Sequence, residues 1–290
     1  MSAQMWMATP ALANLPAIGQ WIKMPNSSAD FSRKSSTNQL AFTNGGSDVA
    51  GSIGDHAEYD MEWAAASRDD VDDLMGFYMG LNSHVVSGKP IVYFLDPMAV
   101  DRNLASLAWG FPASAVASDG ALPLINGSRP AVMAQTVAGA GIPAAWANYT
   151  IPASATFRAL WVPLPPGFTL WAQAWGTSSG AGRITATPDG GAAQTVLFSA
   201  AGATNFPNSY TGAAGVTFSL AGNAGDTVAL GGLMLRVYKT GTTPTAPKYI
   251  RPYGNGGCKF EDAPTLTALS SIDNSKAAWQ ASWKMIEVAQ

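Results

Sequence analysis

Charged side chains are distributed very unevenly along this chain. Residues 106–244 contain only eight of them, whereas the rest of the sequence holds the other 27. The middle segment consists mostly of small, polar and aromatic residues, and the charged character returns after residue 244. Such a pattern is typical of one domain inserted into an exposed connection of another. The sequence therefore predicts a discontinuous outer domain, residues 1–105 plus 245–290, and an inserted domain, residues 106–244.

The overall composition excludes several classes of protein. A net charge of −3 and the lack of a Lys/Arg cluster argue against nucleic acid as a partner. No run of 18 apolar residues occurs, so we expect no membrane insertion. Residues 1–23 lack a basic start and contain Pro10 and Pro16, which is unlike a signal peptide. With Cys258 as the single cysteine, no internal disulfide can form, and a reducing cytoplasm suits folding.

The first part of the chain carries ordinary patterns of secondary structure. Residues 18–24 and the alternating residues 55–63 predict strands, the second with one wet and one buried face. Ser67 and Asp70 have the spacing of a helical capping box, and the apolar run 91–95 predicts a central strand. The helix after the capping box is predicted from apolar residues at helical spacing, namely Val71, Leu74, Met75, Tyr78 and Leu81.

Within the inserted segment, short runs rich in β-branched and aromatic residues alternate with turns that contain Gly and Pro. About seven short strands with such punctuation indicate a β-sandwich or jelly roll, and we expect no helix there. The predicted strands are 158–164, 168–175, 183–187, 194–199, 216–221, 226–230 and 233–239.

Few residues offer metal-binding or nucleophilic chemistry. His56 shares the polar face of a predicted strand with Glu58 and Asp60, and a solvated face explains this alternation without a metal. The acidic run 69–73 fits a helix N-terminus, where the dipole stabilises carboxylates, and lacks the spacing of an EF-hand loop. Cys258 has no motif around it and is predicted to be a half-buried, unreactive thiol. We therefore expect no metal and no cofactor.

Sequence motifs of common enzymes are missing. The chain has no Gly-x-Ser-x-Gly nucleophile elbow and no P-loop. A glycosidase needs two carboxylates, yet the inserted segment has no Glu, and Asp119, Asp189 and Asp226 each adjoin a glycine, as turn residues do. Glu58 and Asp60 in the outer domain are the remaining pair, and they imply no cleft. The chain is predicted not to be an enzyme.

Aromatic residues of the inserted segment give its one functional signal. In the strand 168–175, Trp171, Gln173 and Trp175 share one face, and aliphatic residues share the other. If the aliphatic face is the core, two indoles and an amide form a platform on which a sugar ring can stack. Alternatively the Trp face is the core, because Trp is usually buried. Weaker candidates of the same kind are Trp146, Tyr149, Trp161 and Tyr210.

Two blocks of the outer segments form a recognisable pattern. They consist of residues 70–81, 88–97 and 103–109 in the first block, and of 256–260 and 281–288 in the second. With these residues, the chain resembles the distal tail and minor tail proteins of long-tailed phages that infect actinobacteria. The similarity covers roughly residues 15–110 and 248–290 and includes no invariant chemical signature.

The resemblance implies both a fold and a role. In that family the outer domain is a β-sandwich with one helix, which packs into a ring at the tail tip. A peripheral domain, often similar to a galectin or a carbohydrate-binding module, projects from it. We therefore expect a mainly β fold: a tail-ring-type β-sandwich with one α-helix, carrying an inserted jelly-roll β-sandwich. In the family the peripheral domain is appended at the end, whereas here it is inserted, so both the distal tail protein and a neighbouring minor tail protein stay open.

The same resemblance implies partners and a location. The expected partners are other copies of the chain in a six-fold or, alternatively, a three-fold ring, together with tail tube, tape-measure and tip proteins. The inserted domain is expected to contact host cell-wall glycan. The protein is expected in the virion tail, assembled in the host cytoplasm. The competing class is a non-viral carbohydrate-binding module without catalytic activity, against which the missing signal peptide weighs.

Overall fold

The computed structural model of the protein describes most of the chain. The described residues are 4–11, 16–25, 28–41, 47–81, 91–95, 102–110, 112, 131–134, 145–151, 160–199, 206–245, 249–250, 252, 257–270 and 278–287. The chain divides into two compact units. The first unit consists of residues 1–35, 55–97 and 256–289, and the second of residues 36–54, 98–255 and Gln290.

Most described residues lie in antiparallel strands, so the predicted mainly β class is confirmed. The helices are Arg68–Tyr78 (α1) and the short Leu107–Gly110 (α2). The strands up to residue 150 are Gln4–Thr9 (β1), Ile18–Lys23 (β2), Ser28–Ala41 (β3), Ser47–Ala66 (β4), Tyr93–Leu95 (β5), Ala131–Ala134 (β6) and Ala145–Thr150 (β7). The later strands are Leu160–Pro163 (β8), Phe168–Ser179 (β9), Arg183–Pro188 (β10), Gln194–Val196 (β11), Asn208–Thr211 (β12), Gly215–Ala221 (β13), Thr227–Lys239 (β14), Cys258–Phe260 (β15), Thr265–Ser270 (β16) and Ala278–Glu287 (β17).

Helix α1 begins with the predicted capping box. The backbone N–H of Asp70 donates to Ser67 Oγ at 3.2 Å, and the N–H of Ser67 donates to the Asp70 carboxylate at 3.0 Å. The helix ends earlier than its apolar spacing predicts, because Gly80 adopts a left-handed φ of 78°. Leu81 therefore lies beyond the helix and is 73% exposed. The buried positions of α1 are Val71, Leu74, Gly76 and Phe77.

The first unit is built from two sheets and α1. One sheet has the strand order β2-β1-β5, and the other has the order β15-β17-β4-β3, with β16 also paired to β17. Residues 36–41 of β3 and 47–54 of β4 are assigned to the second unit. The indoles of Trp63 and Trp283 meet edge to face in the core, with ring centroids 4.7 Å apart. Val92 and Cys258 exchange two backbone hydrogen bonds of 2.8 Å. Parts of the chain that are distant in sequence thus share one core.

The second unit contains a five-stranded sheet of order β12-β9-β14-β7-β6 and a four-stranded sheet of order β11-β10-β13-β8. The rings of Tyr210 and Phe218, one from each sheet, meet edge to face at 6.0 Å. This two-sheet arrangement is consistent with the β-sandwich class. The short α2 ends at Gly110, before the strand-rich part for which the sequence predicted no helix. No helix among the described residues has the length and apolar character needed to cross a membrane.

Strand β14 differs from its prediction. The sequence predicted two strands separated by Gly231 and Gly232, whereas one strand runs through both glycines with a register shift against β9 at this point. The glycines mark a bulge and close packing rather than a turn. A Cβ on Gly231 would lie 2.4 Å from Trp146 Nε1, and one on Gly232 would lie 2.8 Å from the carbonyl oxygen of Gly110.

Candidate functional site: the aromatic face of the second unit

The three residues of the predicted platform lie on one face of the five-stranded sheet, which we call the aromatic face. The register places Trp171 of β9 opposite Arg236 of β14, and Gln173 opposite Met234. Trp175 follows two residues further along β9, so all three predicted side chains share this face. The sequence therefore placed these residues together as the structure does.

Burial of the three residues differs. Gln173 is 1% exposed and Trp175 is 3% exposed, while Trp171 is partly exposed. Trp175 and Gln173 are thus core residues, as in the alternative interpretation of the alternation, and the accessible aromatic surface is confined to part of Trp171. The physical reason is that other segments cover the face, among them Phe206, whose ring centroid lies 6.2 Å from that of Trp171. Glycan binding by this face stays a prediction.

Residues 249–250 form part of that cover. The ring of Tyr249 meets Trp175 edge to face, with centroids 5.6 Å apart. The hydroxyl of Tyr249 donates a hydrogen bond to the carbonyl oxygen of Gly110. Ile250 packs against the same hydrophobic cluster, which also contains Met234. The period-two pattern of β9 carries no information about this cover, because Tyr249 is more than seventy residues away in the sequence.

Asn103 fastens the cover to the sheet. Its Nδ2 donates to the carbonyl oxygens of Leu233 and Ile250, both at 3.0 Å. Its Oδ1 accepts from the backbone N–H groups of Ala105 at 3.1 Å and Leu235 at 2.9 Å. The side chain is 0% exposed, and all four of its hydrogen-bonding positions are used. Sequence reasoning missed this role, because Asn103 directly follows the charged residues Asp101 and Arg102 and no local pattern marks it as buried.

Buried polar atoms also lie on the aromatic face. Gln173 Oε1 and Trp171 Nε1 are buried and have no hydrogen-bond partner among the described residues. Arg236 is 6% exposed and its guanidinium lies 5.0 Å from the ring centroid of Tyr238, a cation–π distance. Buried polar groups are nearly always satisfied in proteins, so an acceptor such as Gln173 Oε1 calls for an explanation.

The weaker aromatic candidates are core residues. Trp146, Tyr149, Trp161 and Tyr210 are each at most 4% exposed. Trp161 Nε1 donates to the Asp189 carboxylate at 3.1 Å, which holds the 188–191 turn against β8. Burial raises the pKa of Asp189, although this hydrogen bond opposes the rise. Burial also raises the pKa of Tyr210 to about 12. Packing accounts for all four side chains.

The carboxylates of the first unit form a shallow acidic groove. Asp60, Glu62 and Asp262 line it, and its volume is about 320 Å³. At one side Lys284 bridges Glu261 at 2.8 Å and Glu58 at 3.2 Å. Hydrogen bonds to Glu261 and then Glu58 raise the pKa of Lys284. Glu58 is thus held in an ion pair and Asp60 is exposed, so the two predicted neighbours have different surroundings.

The remaining predicted ligands have structural surroundings. Within the acidic run, Asp70 serves the capping box, and burial is the largest cause of the raised pKa of Asp73. Cys258 is 0% exposed rather than half-buried, and burial raises the pKa of its thiol well above its usual value. The side chain of His56 and the residue Asp119 lie outside the described part. Among the described side chains, no three His, Cys, Asp or Glu residues are grouped to hold a metal ion.

No protein-family model, curated protein or solved structure matches this chain. Of the three predicted platform residues, Trp171 is the one with accessible surface, and an indole suits an apolar ring face of a ligand.

Proposed function

We propose that this chain is a structural, non-catalytic subunit of a phage tail tip, located in the virion and assembled in the host cytoplasm. The observation that carries the proposal is that four of the five segments of the tail-protein resemblance, 70–81, 88–97, 256–260 and 281–288, contribute to one core, while 103–109 belongs to the second unit. Val71 and Phe77 of α1 share a hydrophobic cluster with Val92, Phe260 and Met285. These residues come from three separate parts of the sequence, which supports a common ancestral domain rather than a chance similarity of each part.

In this proposal the first unit forms the ring. Copies of it pack around the distal end of the tail, with six-fold symmetry favoured and three-fold symmetry as the alternative, and contact tail tube, tape-measure and tip proteins. A six-membered ring has a mass of about 180 kDa, six times 30.1 kDa. The second unit is the peripheral domain, and any contact with host cell-wall glycan lies there. The partly exposed Trp171 supports that assignment, since indoles are common at binding surfaces.

Cryo-electron microscopy of intact tails from the phage that encodes the chain tests the proposal. We expect a ring of this chain at the tip, with density for both units. Tails that assemble and infect without any copy of the chain would refute the tail-tip role. Purified protein is a weaker test, because a subunit can stay monomeric until its tail partners are present.

A pair of phage variants separates the roles of the two units. Replacing Val92 by Asp puts a charge into the core of the first unit, where Val92 is 0% exposed, and should abolish tail assembly. Replacing the partly exposed Trp171 by Ala should leave tail assembly intact and reduce adsorption to the host. If both variants assemble and adsorb like the parent phage, the division of roles is wrong.

The alternative function is a non-viral carbohydrate-binding module, for which Trp171 is also the supporting residue. Gene neighbourhood discriminates between them: an adjacent tape-measure gene supports the tail tip, and an adjacent glycosidase gene supports the module.

A further inference from the structure

One edge of the sheet β15-β17-β4-β3 is open along β16. Strands β15 and β16 pair with different parts of β17, on the side away from β4. The β15 part of this edge is closed, because Val92 and Cys258 exchange two backbone hydrogen bonds of 2.8 Å there. Along β16 no further strand is paired among the described residues. The outward backbone N–H and C=O groups of β16 are therefore available to an added strand.

Strand β16 is also exposed and uncharged. Its sequence is Thr-Leu-Thr-Ala-Leu-Ser. The side chains of Thr265, Thr267 and Ala268 are exposed, and Leu269 is 49% exposed at a bulge, while Leu266 packs against the core of the unit. Natural edge strands are usually blocked by charged side chains, by proline or by a covering segment. An uncharged, exposed edge strand is typical of a place where an extended segment of another chain pairs.

The acidic groove begins at the first residue of this strand. Thr265 lines the groove together with Asp60, Glu62 and Asp262. The register places Thr265, Ser282 and Glu62 in one row across β16, β17 and β4. The polar face of the open strand therefore continues directly into the groove.

The charge of the groove favours a cationic side chain. Lys284 is the basic residue that lines it, and its ammonium group is already bridged to Glu261 and Glu58. The other carboxylates of the groove thus attract a further Lys or Arg side chain. A second copy of the chain is a poorer occupant, because pairing through two β16 strands would bring two acidic grooves onto one surface, where like charges repel each other.

We propose that β16 and the acidic groove form one docking site for an extended, Lys- or Arg-bearing segment of a partner protein. The segment adds to the sheet as a strand beside β16, and its backbone exchanges hydrogen bonds with that strand. Since alternate side chains of a strand lie on one face, basic side chains on the face of Thr265 point toward the groove, and apolar ones lie on the face of Leu266. In the proposed tail tip this segment belongs to another tail protein, but the docking site does not depend on that role.

Fluorescence anisotropy of a labelled peptide, measured with the full chain, tests the proposal. The probe is the peptide Val-Lys-Val-Lys-Val-Lys-Val, and the comparison peptide has Glu in place of each Lys. We expect the Lys peptide to bind at least about ten-fold more tightly than the Glu peptide, with an affinity that falls as salt is added. Concentrations up to about 1 mM are needed, because a short peptide bound at one edge binds weakly.

Backbone methylation of the probe separates strand addition from attraction between charges. In an added strand, alternate N–H groups face β16 and the others face away from it. Two further Lys peptides carry N-methyl groups on either the Lys or the Val residues. One of them should lose about ten-fold or more in affinity, because several hydrogen bonds are removed, and the other should bind like the unmethylated probe within about three-fold. Attraction between charges alone predicts equal binding of the two.

A pair of double variants tests the groove. Asp60→Asn combined with Asp262→Asn removes two exposed carboxylates of the groove and should weaken binding of the Lys peptide about ten-fold. Asp69→Asn combined with Asp72→Asn is the matched control, since it removes the same charge from exposed positions of α1 in the same unit. The control should change the affinity less than about two-fold, because charges away from the site are screened by salt.

Each result decides a separate part of the proposal. Equal binding of the two methylated peptides overturns strand addition, and an equal loss in the two double variants overturns the groove. A Lys peptide that does not bind below about 1 mM overturns the whole proposal. A dimer of the full chain in light scattering that Thr267→Lys converts to monomer assigns the edge to a second copy and overturns the foreign partner. The methylated peptides leave the protein unchanged, so they decide even where a variant unfolds. None of these outcomes alters tail membership, which electron microscopy tests separately.

Discussion

Replacing Asn103 by Asp should destabilise the second unit, and more at pH 7 than at pH 4. The substitution keeps the shape of the side chain. An oxygen replaces the amide group that donates to the carbonyl oxygens of Leu233 and Ile250, while the two bonds that Oδ1 accepts are kept. At 0% exposure, no water replaces the lost donors.

The magnitude follows from the protonation state of the new carboxyl group. When protonated, it donates to one of the two carbonyls, and the other is left without a donor at a cost of about 2 kcal/mol. Protonating a group with an ordinary pKa near 3.9 costs about 4 kcal/mol at pH 7. The charge penalty cannot exceed this value, because a buried carboxyl whose ionisation costs more than its protonation is protonated in the folded state. We expect a loss of about 2 kcal/mol at pH 4 and a larger loss, up to about 6 kcal/mol, at pH 7.

The pH dependence has a definite sign. Burial raises the carboxyl pKa of the folded variant above its unfolded value near 3.9. The charge penalty is therefore absent below that pH and grows as the pH rises toward the folded pKa. Urea unfolding at both pH values, followed by Trp fluorescence and far-UV circular dichroism, measures the loss; two probes are needed because two compact units need not unfold together.

The same substitution at Asn208 is the matched control. Asn208 lies on β12, is partly exposed, and accepts one hydrogen bond, from the backbone N–H of Leu197 at 3.0 Å. Asp keeps that acceptor, so we expect a change within about 0.5 kcal/mol. A loss below about 1 kcal/mol for Asn103→Asp, or an equal loss at both pH values, would refute the assignment of Asn103 as a buried double donor.

Three further outcomes can be measured by thermal or urea unfolding. Gly232→Ala places a Cβ 2.8 Å from the carbonyl oxygen of Gly110 and should cost about 1–3 kcal/mol, whereas Gly191→Ala, with its nearest atom at 3.3 Å, should change little. Ser67→Ala removes the capping box of α1 and should cost about 1 kcal/mol, with no loss expected if the cap is unimportant. Asp189→Asn keeps an acceptor for the indole N–H of Trp161 and removes a carboxyl group whose pKa is raised by burial. The parent should lose stability as the pH rises through the acidic range and the variant should not, so the variant should be at least as stable at neutral pH. Lower stability of the variant at neutral pH contradicts this.

Local signals predicted local structure well. The capping box of Ser67 and Asp70 forms as expected, because both partners lie within one helical turn. The alternation of residues 55–63 falls within β4, where Tyr59, Met61 and Trp63 are buried. The Gly231–Gly232 pair was misinterpreted as a turn, since glycine occurs both in turns and where another group packs closely against the backbone. Close packing applies here, because Trp146 lies against Gly231, and Trp146 is distant in sequence.

The sequence predicted which residues of the candidate site share a face, but not how exposed their side chains are. Alternation along β9 assigns Trp171, Gln173 and Trp175 to one face, yet it cannot say which face is buried when neither face carries charge. That choice depends on Tyr249, which covers Trp175 from outside the strand, and on Asn103, which fastens the neighbouring backbone.

Both of these residues lie outside 106–244, the range set by the fall in charge, although each belongs to the second compact unit. A boundary drawn from charge reports where the solvent-exposed surface changes, whereas a boundary drawn from packing reports where the core ends. In this chain the two differ because these core-packing residues, although uncharged, adjoin charged ones in the sequence. Arg102 precedes Asn103, and Lys248 and Arg251 flank Tyr249 and Ile250.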